Sequence, residues 1–282
     1  MLKIKACAKI NLSLNITGLR QDGYHLLETV MQSVDLYDEI SIDTEEKGIN
    51  IVSSNVSLGN EDDICYKAAS LFFECSGVLG GARISVTKNI PLSAGLGGGS
   101  ADAAAVLLGL NRLFDYPLDN NALLKLAVQL GADVPYFLYG GTVLARGIGE
   151  ICETVDDIPF CYIVLAKREQ KKSTKYMYSM VDNADLTPFA DTKNILLGLK
   201  NGNLKDVAKN CANAFSVAWD DKITTEILGG FKPLCVSLSG SGPTHFAIFD
   251  NEVSAINCVE SLKCNNIEAF LTRPIQKAII FE

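Results

Sequence analysis

Pro91-Leu92-Ser93-Ala94-Gly95-Leu96-Gly97-Gly98-Gly99-Ser100-Ala101 opens directly onto an apolar run over 102–114, and this junction decides how the chain is read. Glycines at 95, 97, 98 and 99 let successive backbone N–H groups turn toward one point, with no Cβ to hold a ligand off. The helix predicted to follow leaves its first N–H groups unpaired and carries partial positive charge at that end. A phosphate group suits such a place. The plainer alternative is a flexible connection between strand and helix. A connector, however, rarely concentrates glycine so densely and then meets a helix at a capping serine, here Ser100.

Familiar phosphate motifs are absent. No Gly-Lys-Ser/Thr ends the loop, so it is not a Walker loop, and Ser100 stands where a dinucleotide fingerprint wants glycine or alanine. No His-Arg-Asp or Asp-Phe-Gly follows, which excludes the protein-kinase set.

Outward from the loop, residues 2–16 alternate strictly. Leu2, Ile4, Ala6, Ala8, Ile10, Leu12, Leu14 and Ile16 are apolar, which predicts a long half-buried strand or two strands joined by a bend. Lys9, Asn11 and Ser13 then share one face. A turn is expected over 18–23, and further strands near 27–34, 39–43, 49–53, 83–87, 142–145 and 158–166. Helical spacing marks 61–75, the run after Ser100, and 121–130 with Gly131 at the C′ position. Later helices are predicted near 192–200, 204–215, 223–228 and 253–263, with strands near 234–238, 245–249 and 268–271. Strands and helices follow no steady βα alternation, which favours α+β. A soft boundary falls near 155, giving domains 1–157 and 158–282.

The chain has 282 residues, 48% of them hydrophobic and 21% charged, enough for a large core in one or two domains. A net charge of −8 argues against nucleic acid or an anionic membrane as partner, though not against a phosphate bound by backbone amides. Nine cysteines without a Cys-x-x-Cys spacing suggest reduced thiols in a cytoplasmic protein. Two distant histidines form no local metal motif, and no dedicated metal site is expected. Lys9 breaks the one apolar stretch near the N-terminus, so no secretory signal is expected, and no transmembrane helix either.

Several side chains are candidates for chemistry. Lys9 alone reads as a solvated strand lysine, but it lies in the most apolar part of that strand, with Asn11 beside it as a directional donor. Asp133, in Gly131-Ala132-Asp133-Val134-Pro135, reads equally as a helix cap or Asx turn and as a general base among apolar neighbours that limit its solvation. Ser239-Gly240-Ser241-Gly242-Pro243-Thr244 is either a plain hairpin turn or a second set of donors aimed at the same anion. Asp102 is unaccounted for, since a carboxylate so near a phosphate repels it.

Taken together, these segments resemble the GHMP kinases, named for galacto-, homoserine, mevalonate and phosphomevalonate kinases. The glycine loop is similar to their phosphate loop and the segment from Ser239 to their third motif. Ala8-Lys9-Ile10-Asn11-Leu12, Asp22-Gly23-Tyr24-His25 and the Asp133 segment resemble most closely the members whose substrate carries a cytidine diphosphate group. The resemblance runs from residue 6 to about 274. It implies the two-domain α+β GHMP kinase fold, with a ribosomal protein S5 domain 2-like N-terminal domain, a ferredoxin-like C-terminal domain and the site between them. It further implies ATP as phosphoryl donor with Mg²⁺ carried on it, and Lys9 and Asp133 as the catalytic pair. The whole segment from Pro91 to Ala101 matches the ATP loop. Tyr24 and His25 match positions that hold the base, Asn11 one near the polyol, and Tyr178 (or Tyr176) an aromatic that stacks on the base. Ser93 and Ala101 depart from the usual glycine and serine. A monomer or weak homodimer is expected. The rival readings are another small-molecule kinase of this fold, of homoserine or mevalonate type, and a non-catalytic nucleotide binder. A bulky residue at Gly97 is expected to exclude nucleotide and leave the fold intact, the loop being read as lying outside the core.

Overall fold

A computed structural model describes residues 1–53, 63–169, 173–182, 190–219 and 221–282. The first part of the chain supplies strands β1 (Leu2–Leu19), β2 (His25–Glu45), β3 (Gly48–Ser53), β4 (Gly81–Thr87), β5 (Thr142–Gly147) and β6 (Ile151–Thr154). With them come helices α1 (Ile64–Ser76), α2 (Gly98–Leu113), α3 (Asn120–Leu130) and α4 (Val134–Tyr139). The remainder supplies β7 (Tyr162–Lys167), α5 (Thr174–Val181), α6 (Thr192–Lys200), α7 (Leu204–Lys209), β8 (Ala212–Asn213), α8 (Lys222–Gly230), β9 (Cys235–Leu238), β10 (His245–Phe249), α9 (Glu252–Cys264), β11 (Glu268–Thr272) and β12 (Ile279–Phe281).

Two sheets result. The eight-stranded one runs β12-β1-β2-β4-β3, with β5 beside β2, β6 beside β5 and β8 beside β1. The four-stranded one runs β11-β7-β10-β9, with β7 paired antiparallel to both its neighbours. Strands from both sides of residue 157 share the first sheet, because β12 returns to pair with β1. The mixture of these two sheets with packed helices is α+β.

The strand read from the alternation at 2–16 is continuous, but it is buried on both faces from Ala6 to Leu14 rather than half-buried. Its pairing with β2 slips between Cys7 and Lys9. Cys7 pairs with Tyr37 but Lys9 with Ser33, so three residues of β2 lie opposite Ala8 alone, and across this irregularity β1 exchanges the faces it presents. Ile4 and Ala6 therefore lie in the core under α2, whereas Ala8, Ile10 and Leu12 lie in a second core with Ile163, Leu165, Phe246 and Ile248. Lys9 is thereby turned toward the side of the sheet where α2 begins. Apolar residues hold every even position because each face has its own core, so the alternation shows no sign of the irregularity.

Other differences have local causes. The strands expected at 27–34 and 39–43 are one strand, β2, which exchanges its second neighbour along its length: 27–32 pair with β5 and 39–45 with β4. The helix expected over 204–215 stops at Lys209, and Asn213 instead accepts the Phe215 N–H and donates to the Leu238 and Gly240 carbonyls. Gly131 ends α3 with φ 164°, an extended conformation and not the left-handed C′ turn expected of it. The expected strand over 158–166 starts only at Tyr162. The first residues of the predicted 61–75 helix lie outside the described residues. The nine cysteines are unpaired, and no helix among the described residues is long and apolar enough to cross a membrane.

Candidate active site

The glycine loop, the N-terminus of α2, the middle of β1, the start of α4, the start of β2 and helix α5 line one cleft of roughly 1130 Å³. Lys9, Asn11, Tyr24, His25, Asp133, Tyr178 and the loop from Pro91 to Ser100 all reach it, whereas Ala101 is fully buried on the core face of α2.

The loop is held from below. Lys9 N–H donates to Leu96 O at 2.9 Å and Thr244 N–H to Ala94 O at 3.3 Å. Ala94 and Leu96 are themselves buried in the second core, so the loop is part of the core and not outside it. Gly95 has φ +78°, and a Cβ there would stand 2.3 Å from Ser239 O; this is where the loop and the 239–244 hairpin touch. Gly97 takes φ +76° as the N-cap of α2, with no side chain capping the helix. Ser100 is thus in the first turn and not the cap expected of it. The first paired N–H is that of Ala101, to Gly97 O at 2.9 Å, which leaves the preceding amides of α2 facing the cleft. Ser93 holds φ +51°, a conformation glycine would adopt with less strain.

Lys9 is 2% exposed. Its Nζ donates to Asn11 Oδ1 at 2.7 Å and lies 3.5 Å from Asp133 Oδ2. Asn11 has little left for a ligand, because Oδ1 also accepts the Gly240 N–H (2.8 Å) and Nδ2 donates to Thr29 Oγ1 (2.8 Å). Its geometry is that of a residue orienting the lysine. The hairpin's Gly240 N–H is consumed in the same way, and Gly242 N–H by Ser239 O, so these amides are not free donors for an anion. Asp133 precedes α4 with φ −86° and ψ −15°, and its side chain makes no capping hydrogen bond. It is 42% exposed toward the cleft, more solvated than its apolar neighbours suggested. The cap reading has no support in this geometry.

At the other end, Tyr24 is exposed, while His25 stacks on Tyr178 with centroids 4.4 Å apart and planes 17° apart. Phe215 meets Tyr178 edge-on at 4.9 Å. Burial, followed by the charges of Asp133 and Asp182, pushes the Tyr178 hydroxyl up to about 12, so it stays neutral at ordinary pH. Tyr176, the alternative, is exposed and does not line the cleft. The His25–Tyr178 stack has no room for a third ring between its members.

Sequence reading missed the group beneath the loop. Lys88 Nζ bridges Asp102 Oδ2 at 2.6 Å and Asp38 Oδ2, and Asp38 Oδ1 accepts the N–H groups of Asn89 (2.6 Å) and Ile90 (2.8 Å). This accounts for Asp102, which is turned into the protein and ties α2 to the strand that enters the loop. Only the position of Lys88, just before the loop, hinted at it. Against burial, which pulls it down, Asp102 and Asp38 raise the Lys88 ammonium. Burial above all, and then Asp38, raise Asp102 to about 8 against the opposite pull of Lys88. One ammonium cannot balance two buried carboxylates, so Asp102 carries the proton at neutral pH. Its Oδ1 has no hydrogen-bond partner.

Two outcomes follow from this geometry. A side chain at Gly97 would meet Phe137 Cζ at 2.6 Å and Lys9 Cγ at 3.1 Å, so a bulky residue there disturbs the core as well as the loop, contrary to the sequence expectation. At Gly99 it meets only Ile64 Cγ2, at 3.9 Å, beside the cleft. Gly99→Val should therefore melt like the parent yet weaken ATP binding by about tenfold or more in a calorimetric titration; unchanged affinity would place the nucleotide elsewhere. For Asp102, the folded chain keeps a proton up to about pH 8 that the unfolded chain releases near 3.8. Stability from this group is intact below the lower value and falls as pH rises toward the higher, by up to ~1.4 kcal/mol per pH unit. Asp102→Asn, which imitates the protonated form, should lose less Tm than the parent between about pH 5 and about pH 9. Parallel curves would mean that Asp102 is ionised in the folded chain.

With the geometry in place, comparisons fix the family. Residues 63–141 match the GHMP kinases N terminal domain. The 4-diphosphocytidyl-2-C-methyl-D-erythritol kinase of Clostridium tetani (strain Massachusetts / E88) is 42% identical over 281 residues, which covers 97% of this chain and 100% of the relative. A crystal structure of 4-(cytidine 5'-diphospho)-2C-methyl-D-erythritol kinase superposes with a TM-score of 0.84 at 31% identity, covering 96% of this chain and 98% of the other. Homoserine kinase from Cytophaga hutchinsonii, at 20% identity and TM-score 0.79 over 100% and 97% of the two chains, shares the fold. At 42% identity across nearly the full length of both chains, the protein belongs to the 4-diphosphocytidyl-2-C-methyl-D-erythritol kinase family of the GHMP kinases.

Proposed function

We propose that this protein transfers the γ-phosphoryl group of ATP to the C2 hydroxyl of 4-diphosphocytidyl-2-C-methyl-D-erythritol, giving the 2-phosphate and ADP, a step of non-mevalonate isoprenoid synthesis. The observation that carries the reading is the meeting in one cleft of three things: an uncapped helix N-terminus, a lysine–aspartate pair and an aromatic wall with a histidine.

The phosphates of ATP lie along the glycine loop, with the free amides at the start of α2 as donors. The half-buried Ser100 hydroxyl in the cleft is the protein oxygen that would hold a Mg²⁺ carried on those phosphates, which would reduce their charge. Asp133, half-exposed and free of capping duty, accepts the proton of the C2 hydroxyl as that oxygen attacks the γ-phosphorus. Lys9, held in place by Asn11, counters the charge that develops on the reacting oxygens. The cytosine ring sits beside the His25–Tyr178 stack and against Tyr24, and is read at its edge by His25. The net charge and the nine unpaired thiols support a cytoplasmic protein without nucleic-acid or anionic-membrane partners.

The nearest rivals, homoserine and mevalonate, carry no base for the aromatic wall to bind. A coupled assay of ADP release should show turnover of the cytidine substrate and, at equal concentration, at least ~100-fold less kcat/KM for mevalonate or homoserine. Comparable turnover of either would overturn the assignment.

A further inference from the structure

His25 is gripped on two sides by one short helix. Tyr178 covers a face of its ring, and Asp182, one turn further at the end of α5, takes the Nε2 edge through Oδ1 at 2.6 Å. The Asp182 N–H donates to the Tyr178 carbonyl at 2.9 Å, so the stacking ring and the bonding carboxylate are fixed to each other. Asp182 is 53% exposed and His25 14%, and both line the cleft. His25 Nδ1 makes no hydrogen bond to any described residue.

We propose that Asp182 is a specificity-determining residue: by holding the His25 proton on Nε2 it leaves Nδ1 as an acceptor, so that the cleft takes a pyrimidine with an amino group at ring position 4 and disfavours one with a carbonyl there. The inference rests on the base site of the proposed function and deepens it. A carboxylate accepts hydrogen bonds and cannot donate them, so its partner nitrogen must bear the hydrogen. In the neutral imidazole the other nitrogen is then a lone-pair acceptor. Cytosine offers an N4 amino donor at that position, whereas O4 of a uracil-type ring is an acceptor. With uracil two acceptors would face each other, and a site built around a hydrogen bond rejects the analogue that cannot make it. Asp182 touches no substrate in this account. It is a positioning residue acting through His25.

The test compares cytidine and uridine forms of the same diphospho-methylerythritol substrate. Asp182→Asn keeps the shape, but its carboxamide can donate as well as accept, so it no longer dictates which nitrogen holds the proton. The cytidine preference in kcat/KM should fall by about tenfold, with the loss in KM rather than kcat, and Asp182→Glu should restore most of it. A purely structural role would lower turnover of both substrates and leave their ratio alone. A second readout needs no turnover. The chain has two histidines, so long-range ¹H–¹⁵N spectra can read the tautomer of His25 against that of His245. The parent should hold the Nε2–H form and Asp182→Asn a mixture. An unchanged substrate ratio in a folded Asp182→Asn protein, or an Nδ1–H tautomer in the parent, overturns the inference. Failure of the parent to phosphorylate either nucleotide substrate would instead overturn the proposed function, and the spectra would still decide the role of Asp182.

Discussion

A buried ammonium group is the constraint on which the site depends. Taking a lysine out of water is costly unless its charge meets fixed partners. Lys9, on an interior strand, meets the Asn11 carboxamide at 2.7 Å and the Asp133 carboxylate at 3.5 Å. Asn11 is fixed in turn by Gly240 and Thr29, which draws the far hairpin and β2 into the same network. The register slip after Cys7 turns Lys9 toward the glycine loop. Strand, loop, hairpin and the start of α4 thus converge because one charge needs all of them.

A second charge cluster lies beneath the loop. Asp38, Lys88 and Asp102 fasten the entering strand to the helix that leaves the loop, with a proton on Asp102 keeping the cluster near neutrality. An additional buried negative charge close to bound phosphates would oppose them, so the proton suits the position. The two clusters divide the labour: one holds the reacting end of the cleft, the other the backbone cradle.

What the sequence could show followed from chemistry that local spacing records. The glycine density of the loop, the helix after it and the alternation in β1 are local signals, and they brought ten consecutive cleft-lining residues and Lys9 into view; Asp133, in its own segment before a proline, read equally as a cap and as a base until the resemblance was weighed. The break in pairing opposite Ala8 left no trace in β1, because apolar residues continue on both faces. Lys88 and Asp38 come from different strands, and only the fold shows that they share Asp102 with α2. Asp182 follows a short helix that the pattern did not reveal. Asn11 was legible as a polar residue beside the lysine, but its task of orienting that lysine depends on Gly240, distant in sequence.

The central claim is that Lys9 and Asp133 act as one catalytic unit, and turnover of Asp133→Asn tests it most directly. Asparagine keeps the shape and caps a helix about as well as aspartate, but cannot take up the proton. The account predicts a fall in kcat of ~10²–10⁴-fold with ATP binding nearly intact, and a double variant with Lys9→Met that loses less than the product of the single losses. Near-normal turnover of Asp133→Asn would contradict it and make the aspartate structural.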